Sequence, residues 1–394
     1  SSRFMIIASE YPEPDKASGA LRLFTLVSLL ARHHCVLFAA VEPNGALAGT
    51  CAASANLESV GVEIARGALP AAVAAFAPEI VMFEFYHQAR EDFVNVVRRG
   101  APGVRVLVDS VDLHFVRFEA QARLSGDPED VARAQRTRTQ ELAAYRRADM
   151  TIAVSRDEES KLRELLPGRA VTTIPNIHAI HPYLDLAARN THELVFVGGF
   201  RHEPNVDAVR YFCTEVMPRI LARYPTARLT IIGSHPPSAV TALAGPAVDV
   251  VGYVPETAPY LQRACISVAP LRFGGGMKGK VGEAMSFGLP VVTTSFGAEG
   301  FGLVPGEHLL VGDDPATFAD HVVALLEDPA RRDAIGRAGH RFISEHYSLD
   351  AVAAQLDDLI MRARALRPAS APPVQRLFQH ARTLFDRHVG WRLR

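Results

Sequence analysis

Short, nearly continuous apolar runs alternate along this chain with longer stretches whose apolar residues recur at helical spacing. The first pattern reads as strands buried on both faces, the second as amphipathic helices. "FMIIAS" (Phe4–Ser9), "CVLFAAV" (Cys35–Val41), "EIVMFEF" (Glu79–Phe85), "RVLVDSV" (Arg105–Val111), "DMTIAVS" (Asp149–Ser155) and "AVTTIPNI" (Ala170–Ile177) are strand-like. Between them, "SGALRLFTLVSLLARHH" (Ser18–His34) and "PEDVARAQRTRTQELAAYRRA" (Pro128–Ala148) read as helices; the first ends in basic residues, which suit a helix C-terminus. The pattern then restarts. "HELVFVGGF" (His192–Phe200), "ARLTIIGS" (Ala227–Ser234), "VDVVGYV" (Val248–Val254), "CISVAPL" (Cys265–Leu271) and "LPVVTTS" (Leu289–Ser295) are strands, with a helix over Asn205–Pro225. A further strand and two or three helices follow from His308.

This order predicts an α/β protein built from two doubly wound parallel-sheet halves. The boundaries fall at residues 1–180 and 181–365, with a linker and tail over 366–394. "RPASAPP" reads as the linker and Val374–Arg394 as a basic amphipathic helix. Ser1–Arg3 leads straight into the first strand, as in a piece of a longer chain.

Composition narrows the function classes. A length of 394 residues suits two domains, and 48% hydrophobic with 22% charged residues is enough for real cores. A net charge of −1 disfavours a general nucleic-acid binder, whose affinity rests on neutralising phosphates. Cys35, Cys51, Cys213 and Cys265 are widely spaced in apolar surroundings and read as reduced core residues. With no apolar run as long as a membrane span and no signal-peptide pattern, the expected location is the cytoplasm. The tail's Arg376, Arg382, Arg387, Arg392 and Arg394, with Trp391, suit a membrane surface or a protein partner.

Ligands of open α/β sheets sit beyond the C-terminal ends of strands. The first strand is followed by "EYPEPDKASGALR", which lacks GxGxxG and so the NAD fingerprint. Gly19, at the start of the next helix, offers amides to a phosphate or sugar, or is a plain turn glycine. "VDSVDLHFVRFEA" crowds Asp109, Asp112, His114 and Arg117 at one strand end. A histidine near a carboxylate suits acid–base or orienting work; the alternative is a helix N-cap at Asp112 beside a solvated histidine. One histidine and two aspartates are weak metal ligands. "FVGGFRHEPNVDAV" sets Gly198, Gly199 and Arg201 before a helix start near Asn205, where a guanidinium fork and amides suit phosphate oxygens. "RFGGGMKGKVGEAMSFG" is stronger: open amides from Gly274, Gly275, Gly276 and Met277, charges from Lys278 and Lys280, and Glu283 in the first turns of a helix. A carboxylate there accepts two hydroxyls of a ribose.

At these residues the chain resembles GT-B glycosyltransferases, and most the retaining enzymes of glycosyltransferase family 4. The resemblance runs over roughly residues 3–365 and is most specific in "GGGMKGKVGEAMSFGLPVV", similar to the family's GGG-T-R-L-K-x-x-EAMA-x-G-x-PVV variant. It implies two Rossmann-like domains facing across a cleft, the first binding acceptor and the second a nucleotide-sugar donor. Glu283 matches the second of the family's two glutamates and by that match holds the ribose; Gly275 stands where the first, sugar-binding glutamate is expected. Arg201 fits the first member of the family's Arg…Lys phosphate pair, and Lys278 or Lys280 supplies the second charge. No metal and no cofactor beyond the nucleotide-diphosphate sugar is implied.

The expected activity is transfer of a hexose-type sugar to a hydroxyl of a glycan or lipid-linked acceptor, in bacterial cell-surface polysaccharide synthesis. It would proceed at the inner face of the membrane, with Arg201 and Lys280 stabilising the leaving diphosphate, His114 near the reacting carbon and Asp112 orienting it. A nucleotide-sugar epimerase of the same architecture and a non-catalytic nucleotide- or glycan-binding module are the alternatives.

Overall fold

The computed structural model describes residues 1–14, 18–42, 52–184, 189, 192–274 and 277–369. The tail helix expected over 374–394, Gly275 and Gly276 lie outside them.

Among the described residues the first half holds a seven-stranded sheet in the order β3-β2-β1-β4-β5-β6-β7. Its strands are β1 (Arg3–Ala8), β2 (Cys35–Ala40), β3 (Glu63–Ile64), β4 (Ile80–Glu84), β5 (Arg105–Asp109), β6 (Met150–Ala153) and β7 (Ala170–Thr173). The second half holds a six-stranded sheet, β10-β9-β8-β11-β12-β13. It is built from β8 (Glu193–Val197), β9 (Arg228–Ile232), β10 (Val248–Gly252), β11 (Ile266–Ala269), β12 (Val291–Thr293) and β13 (Leu310–Val311). Every pairing is parallel, in registers such as Phe4↔Val36 and Glu84↔Asp109. Parallel strands covered by helices on both faces cannot alternate apolar and polar residues; all five residues of β4 are buried accordingly.

Three features depart from the sequence reading. The helix expected from Asn205 begins at Glu203 and is interrupted by a π-turn over Phe212–Val216 before resuming at Met217–Arg223. Pro218 has no N–H for the helical ladder and its ring crowds the preceding turn, so the register slips by one residue there. The helix Leu349–Ala365 continues the second half in sequence, yet Val352, Leu356, Leu359, Ile360 and Ala363 join Phe4, Leu26 and Met82 in the core of the first sheet. Cys265 is buried, but Cys213 is only partly so and Cys35, the first residue of β2, is exposed; Cys51 lies outside the described residues. No helix among the described residues is long and apolar enough to cross a membrane.

The halves meet at the C-terminal ends of their strands. Val154, just after β6, packs in one apolar cluster with Val195, Ile232, Met277 and Phe301 of the second half. A Cβ at Gly300 would lie 3.4 Å from that of Ser155. Arg22 stiffens the crossover between them: its guanidinium donates to Ile174 O (2.7 Å) and Pro175 O (3.3 Å) and pairs with buried Asp109 at 2.5 Å. Lys278 and Lys280 therefore share the cleft with the Asp112–Arg117 segment: the Asp112 charge reaches Lys278, and Arg117 and Lys280 both act on His202.

Candidate active site in the cleft

In the second half the site is organised around Lys280. It lies on the helix Gly279–Ser286, and its ammonium donates to Asn205 Oδ1 and sits 5.0 Å from the centroid of the Phe196 ring. Asn205 in turn donates from Nδ2 to Gly199 O at 2.7 Å. Gly198 leaves room for this contact, since a Cβ there would lie 2.9 Å from the Asn205 amide; one at Gly199 would lie 3.4 Å from Ser234 Oγ. Gly233 has the same origin, since a Cβ there would meet Gly198 O at 2.0 Å. Burial, with help from the neighbouring Lys278, pushes Lys280 down to about 7. A half-neutral ammonium held by one neutral amide is short of an anion.

Lys278 takes a different environment. Its Nζ lies 3.8 Å from the Glu299 carboxylate and 4.0 Å from the Phe296 ring centroid, and burial again lowers its pKa. Lys278 therefore has a carboxylate beside it, whereas the Lys280 ammonium is held by the neutral Asn205 amide. Gly274 holds φ 134°, a conformation open to glycine, with Pro204 and Phe296 on either side; Met277 is buried beneath the loop. Glu283 accepts a 2.6 Å bond from Thr257 Oγ1 on the neighbouring loop, and burial raises its pKa against the pull of Thr257 and Lys280. Arg201 is exposed, with Nη2 3.1 Å from His235 Nε2. Its neighbour His202 is the one that senses the cleft, its pKa lowered by burial, Lys280 and Arg117.

In the first half, His114 opens the helix His114–Ser125, and Asp112 lies just before it. The cap comes neither from Asp112 nor from any adjacent side chain. Glu141, fully buried on the helix Pro128–Arg147, accepts the amides of His114 (3.2 Å) and Phe115 (2.9 Å) and the hydroxyl of Tyr145 (2.7 Å). Burial pushes Glu141 up to about 7. The Asp112 carboxylate stands 3.5 Å from His114 Nε2, beyond a good hydrogen bond, and takes Arg117 at 3.2 Å instead. Its Oδ1 is buried without a hydrogen-bond partner. Glu158, pushed up to about 7 by burial and then by Asp112, completes the acidic side of the cleft and faces Lys278. Gly19 sits against this segment, where a Cβ would be 3.5 Å from Val111 Cγ1.

The sequence thus named Lys280, Glu283, Asp112 and His114, and the fold brings them to one cleft. It did not name Asn205, Thr257, His202, Glu141 or Glu158. Asn205 carried a signal in hindsight, a polar residue inside a helix start directly after a glycine pair; the others join elements too far apart to have one. Among the described residues no group of three or more His, Cys, Asp or Glu is arranged to hold a metal.

Residues 191–328 match a family model described as glycosyl transferases group 1. An uncharacterized 44.6 kDa protein in the cps region of Klebsiella pneumoniae is 25% identical over 209 residues, 50% of this chain and 53% of that one. A GDP-mannose-dependent monoacylated alpha-(1-6)-phosphatidylinositol monomannoside mannosyltransferase of Corynebacterium glutamicum is 28% identical over 159 residues, 37% of this chain and 42% of that one. The matched segment thus spans about half the length of these curated relatives, or less. Among solved structures, a sucrose-phosphate synthase from Thermosynechococcus elongatus superposes with TM-score 0.67 at 16% identity, covering 91% of this chain and 98% of that one. Anabaena Alr3699/HepE in complex with UDP and glucose does so with TM-score 0.64 at 13% identity, covering 92% and 100%. The shared architecture is the GT-B fold.

Proposed function

We propose that this GT-B chain, whose second half carries the glycosyl transferases group 1 match, is a glycosyltransferase acting on a nucleotide-diphosphate sugar. The observation that carries the reading is the pairing of Lys280, a desolvated ammonium whose hydrogen bond goes to the neutral Asn205 amide, with Glu283, a buried carboxylate one helical turn away. A diphosphate fits the first and the vicinal hydroxyls of a ribose fit the second. Gly274, which has no side chain between Pro204 and Phe296, lets the diphosphate approach its backbone.

In the reaction we propose, the bond from the sugar's anomeric carbon to the diphosphate oxygen breaks, and the electron pair leaves with the diphosphate. Lys280 stabilises the charge that develops there. The acceptor hydroxyl forms the new bond on the same face, with retention of configuration, and its proton passes to the departing diphosphate. His114 borders the reacting carbon with its backbone amide held by Glu141, and Asp112 accepts a hydroxyl at its unpartnered Oδ1. The donor sugar is a hexose and the acceptor a glycan or lipid-linked hydroxyl in cell-surface polysaccharide synthesis at the inner face of the membrane. The relative from a cps region and the mannosyltransferase support that direction. No step calls for a metal.

A thermal-shift screen against UDP, GDP, dTDP and their sugars tests the reading. One diphosphate should stand out, with stabilisation of about 2.7 kcal/mol at a hundredfold excess over its Kd. A flat response to all of them would overturn the proposal. Two variants refine it. Thr257→Val removes the 2.6 Å donor that holds Glu283 ionised. Nucleotide affinity should drop about three- to tenfold, and the deficit should widen as pH falls, because the unsupported carboxylate protonates earlier. His114→Ala should lower transfer about 10- to 100-fold while leaving the nucleotide Kd near its original value.

A further inference from the structure

At the end of the first half opposite the cleft, where β6 and β7 begin, lies a cavity of about 580 Å³. Asp149 and Arg169, the residues just before those strands, form one side of it. Arg163 and Leu166, at the end of the helix Arg156–Leu165, form the second. Leu366 and Arg367, which follow the helix Leu349–Ala365, form the third.

Its walls are held in place. The side chains of Arg98 and Asp149 are each only 4% exposed and pair at 3.1 and 3.2 Å. Arg98 also donates to Ala369 O (2.9 Å), while Asp149 accepts the amides of Ala369 (3.0 Å) and Val106 (2.8 Å). The chain is thus tied down just past Arg367, and just before it by Leu366 N donating to Ala363 O at 3.2 Å. Arg163 pairs with Glu159 at 2.6 Å and donates to Val171 O at 3.0 Å. These pairs cancel in charge. Arg169 and Arg367 remain: both are exposed, and neither side chain has a hydrogen bond or ion pair to a described residue. An arginine beside a helix C-terminus often serves only to cap its carbonyls. Neither guanidinium donates to one here. The two helix ends bring about half a negative charge each, so two full positive charges leave an excess of roughly one.

We propose that this cavity binds a phosphate ester, at a site separate from the cleft and independent of the sugar-transfer reading. Two unpaired guanidinium forks on a fixed backbone suit the oxygens of one phosphate group. The space is of the size that holds a whole small molecule, so a bare phosphate would leave most of it empty. Leu166 and Leu366 offer an apolar surface to the rest of the ester. The chain's own tail is a poor occupant on charge: residues 370–394 carry five arginines against one aspartate, and like charge repels. A soluble phosphomonoester and the headgroup of an anionic phospholipid present the same chemistry to Arg169 and Arg367.

Two measurements on the full chain test this. Calorimetry with glycerol 3-phosphate, against glycerol as the uncharged control, reports a soluble ligand. Co-sedimentation with phosphatidylcholine vesicles, with and without phosphatidylglycerol, reports a headgroup. Both are run in the original chain and in Lys280→Met, so that binding in the cleft is told apart. At least one phosphate probe should bind both chains. Arg169→Gln and Arg367→Gln should each weaken that binding about three- to tenfold, and the double variant by more. Because both side chains are exposed and unpaired, the double variant should keep the urea midpoint of the original. Binding of glycerol 3-phosphate supports the site with a soluble ligand; binding of phosphatidylglycerol vesicles alone, sensitive to the two arginines, supports it with a headgroup. The site is overturned if neither probe binds, if glycerol binds as well as its phosphate, or if the signal needs Lys280. Vesicle binding that the double variant leaves unchanged would belong to the tail and would equally overturn it.

Discussion

Replacing Lys280 with methionine is expected to make the protein more stable and to remove donor binding, two effects of opposite sign from one side chain. The ammonium is desolvated, its nearest polar partner is the neutral Asn205 Oδ1, and Lys278 is a second cation close by. Methionine keeps the length and the contact with Phe196 and carries no charge to desolvate. The pH dependence follows from the shift. The unfolded chain holds this proton up to the usual lysine range, whereas the folded chain releases it at about 7. Between those values the unfolded state binds more protons, so this group makes the original protein more stable as pH rises. The variant should therefore be about 1–2 kcal/mol more stable at pH 6, by urea denaturation, and the gap should close toward pH 10. Nucleoside-diphosphate affinity should fall roughly 30- to 1,000-fold, as expected when a partly buried charge partner of an anion is removed. In the original protein the same affinity should weaken as pH rises above about 7, because the ligand then has to recruit the proton. A variant that loses stability while still binding the diphosphate would show that Lys280 is a packing residue.

That Lys280 and Glu283 were legible at all reflects what a sequence encodes locally. Strands buried on both faces leave continuous apolar runs, so nearly every principal strand was visible in "FMIIAS", "EIVMFEF" or "CISVAPL". Glycines beside charges at a strand end mark a backbone that something approaches. Partners that meet only after folding leave no such trace. Lys280 is held by Asn205, 75 residues away; Glu283 by Thr257, 26 away; and the amide of His114 by Glu141, 27 away. Each is a common polar residue on its own segment and becomes specific only where two elements distant in sequence meet. The helix Leu349–Ala365 shows the same limit for packing. Its apolar stripe says that one face is buried, but the stripe is equally apolar toward either sheet, and only the return of the chain along the crossover sends it to the first. Arg201 follows the glycine pair as its type suggests, and its contact with His235, 34 residues away, is another partner that the sequence does not announce.

A second large effect is expected at Gly282, in the middle of the helix that carries both Lys280 and Glu283. At an ordinary helix position, glycine to alanine stabilises by about 1 kcal/mol. Here the alanine Cβ would fall 2.2 Å from Nε2 of His178 and 2.6 Å from its Cε1. The ring has no room to retreat: His178 is buried on the crossover, its amide donates to Tyr347 O at 2.9 Å, and it bridges Ser348. Burial pushes the imidazole down to about 4, and its Nε2 has no hydrogen-bond partner, so the histidine contributes shape rather than charge. Gly282→Ala should therefore cost about 3 kcal/mol net by denaturant unfolding, against its own helix propensity. If the cause is this single contact, His178→Ala in the same chain should return most of the loss, and the double-mutant cycle should show a coupling of about 2 kcal/mol or more. Nucleotide binding should follow the same order, lost in the single variant and recovered in the double. The helix would otherwise move by the width of a methyl group, and Lys280 and Glu283 would move with it. A Gly282→Ala protein within about 0.5 kcal/mol of the original, or one that His178→Ala does not rescue, would mean that the crossover yields without strain. The cleft's geometry would then not depend on the fit between this glycine and the buried ring.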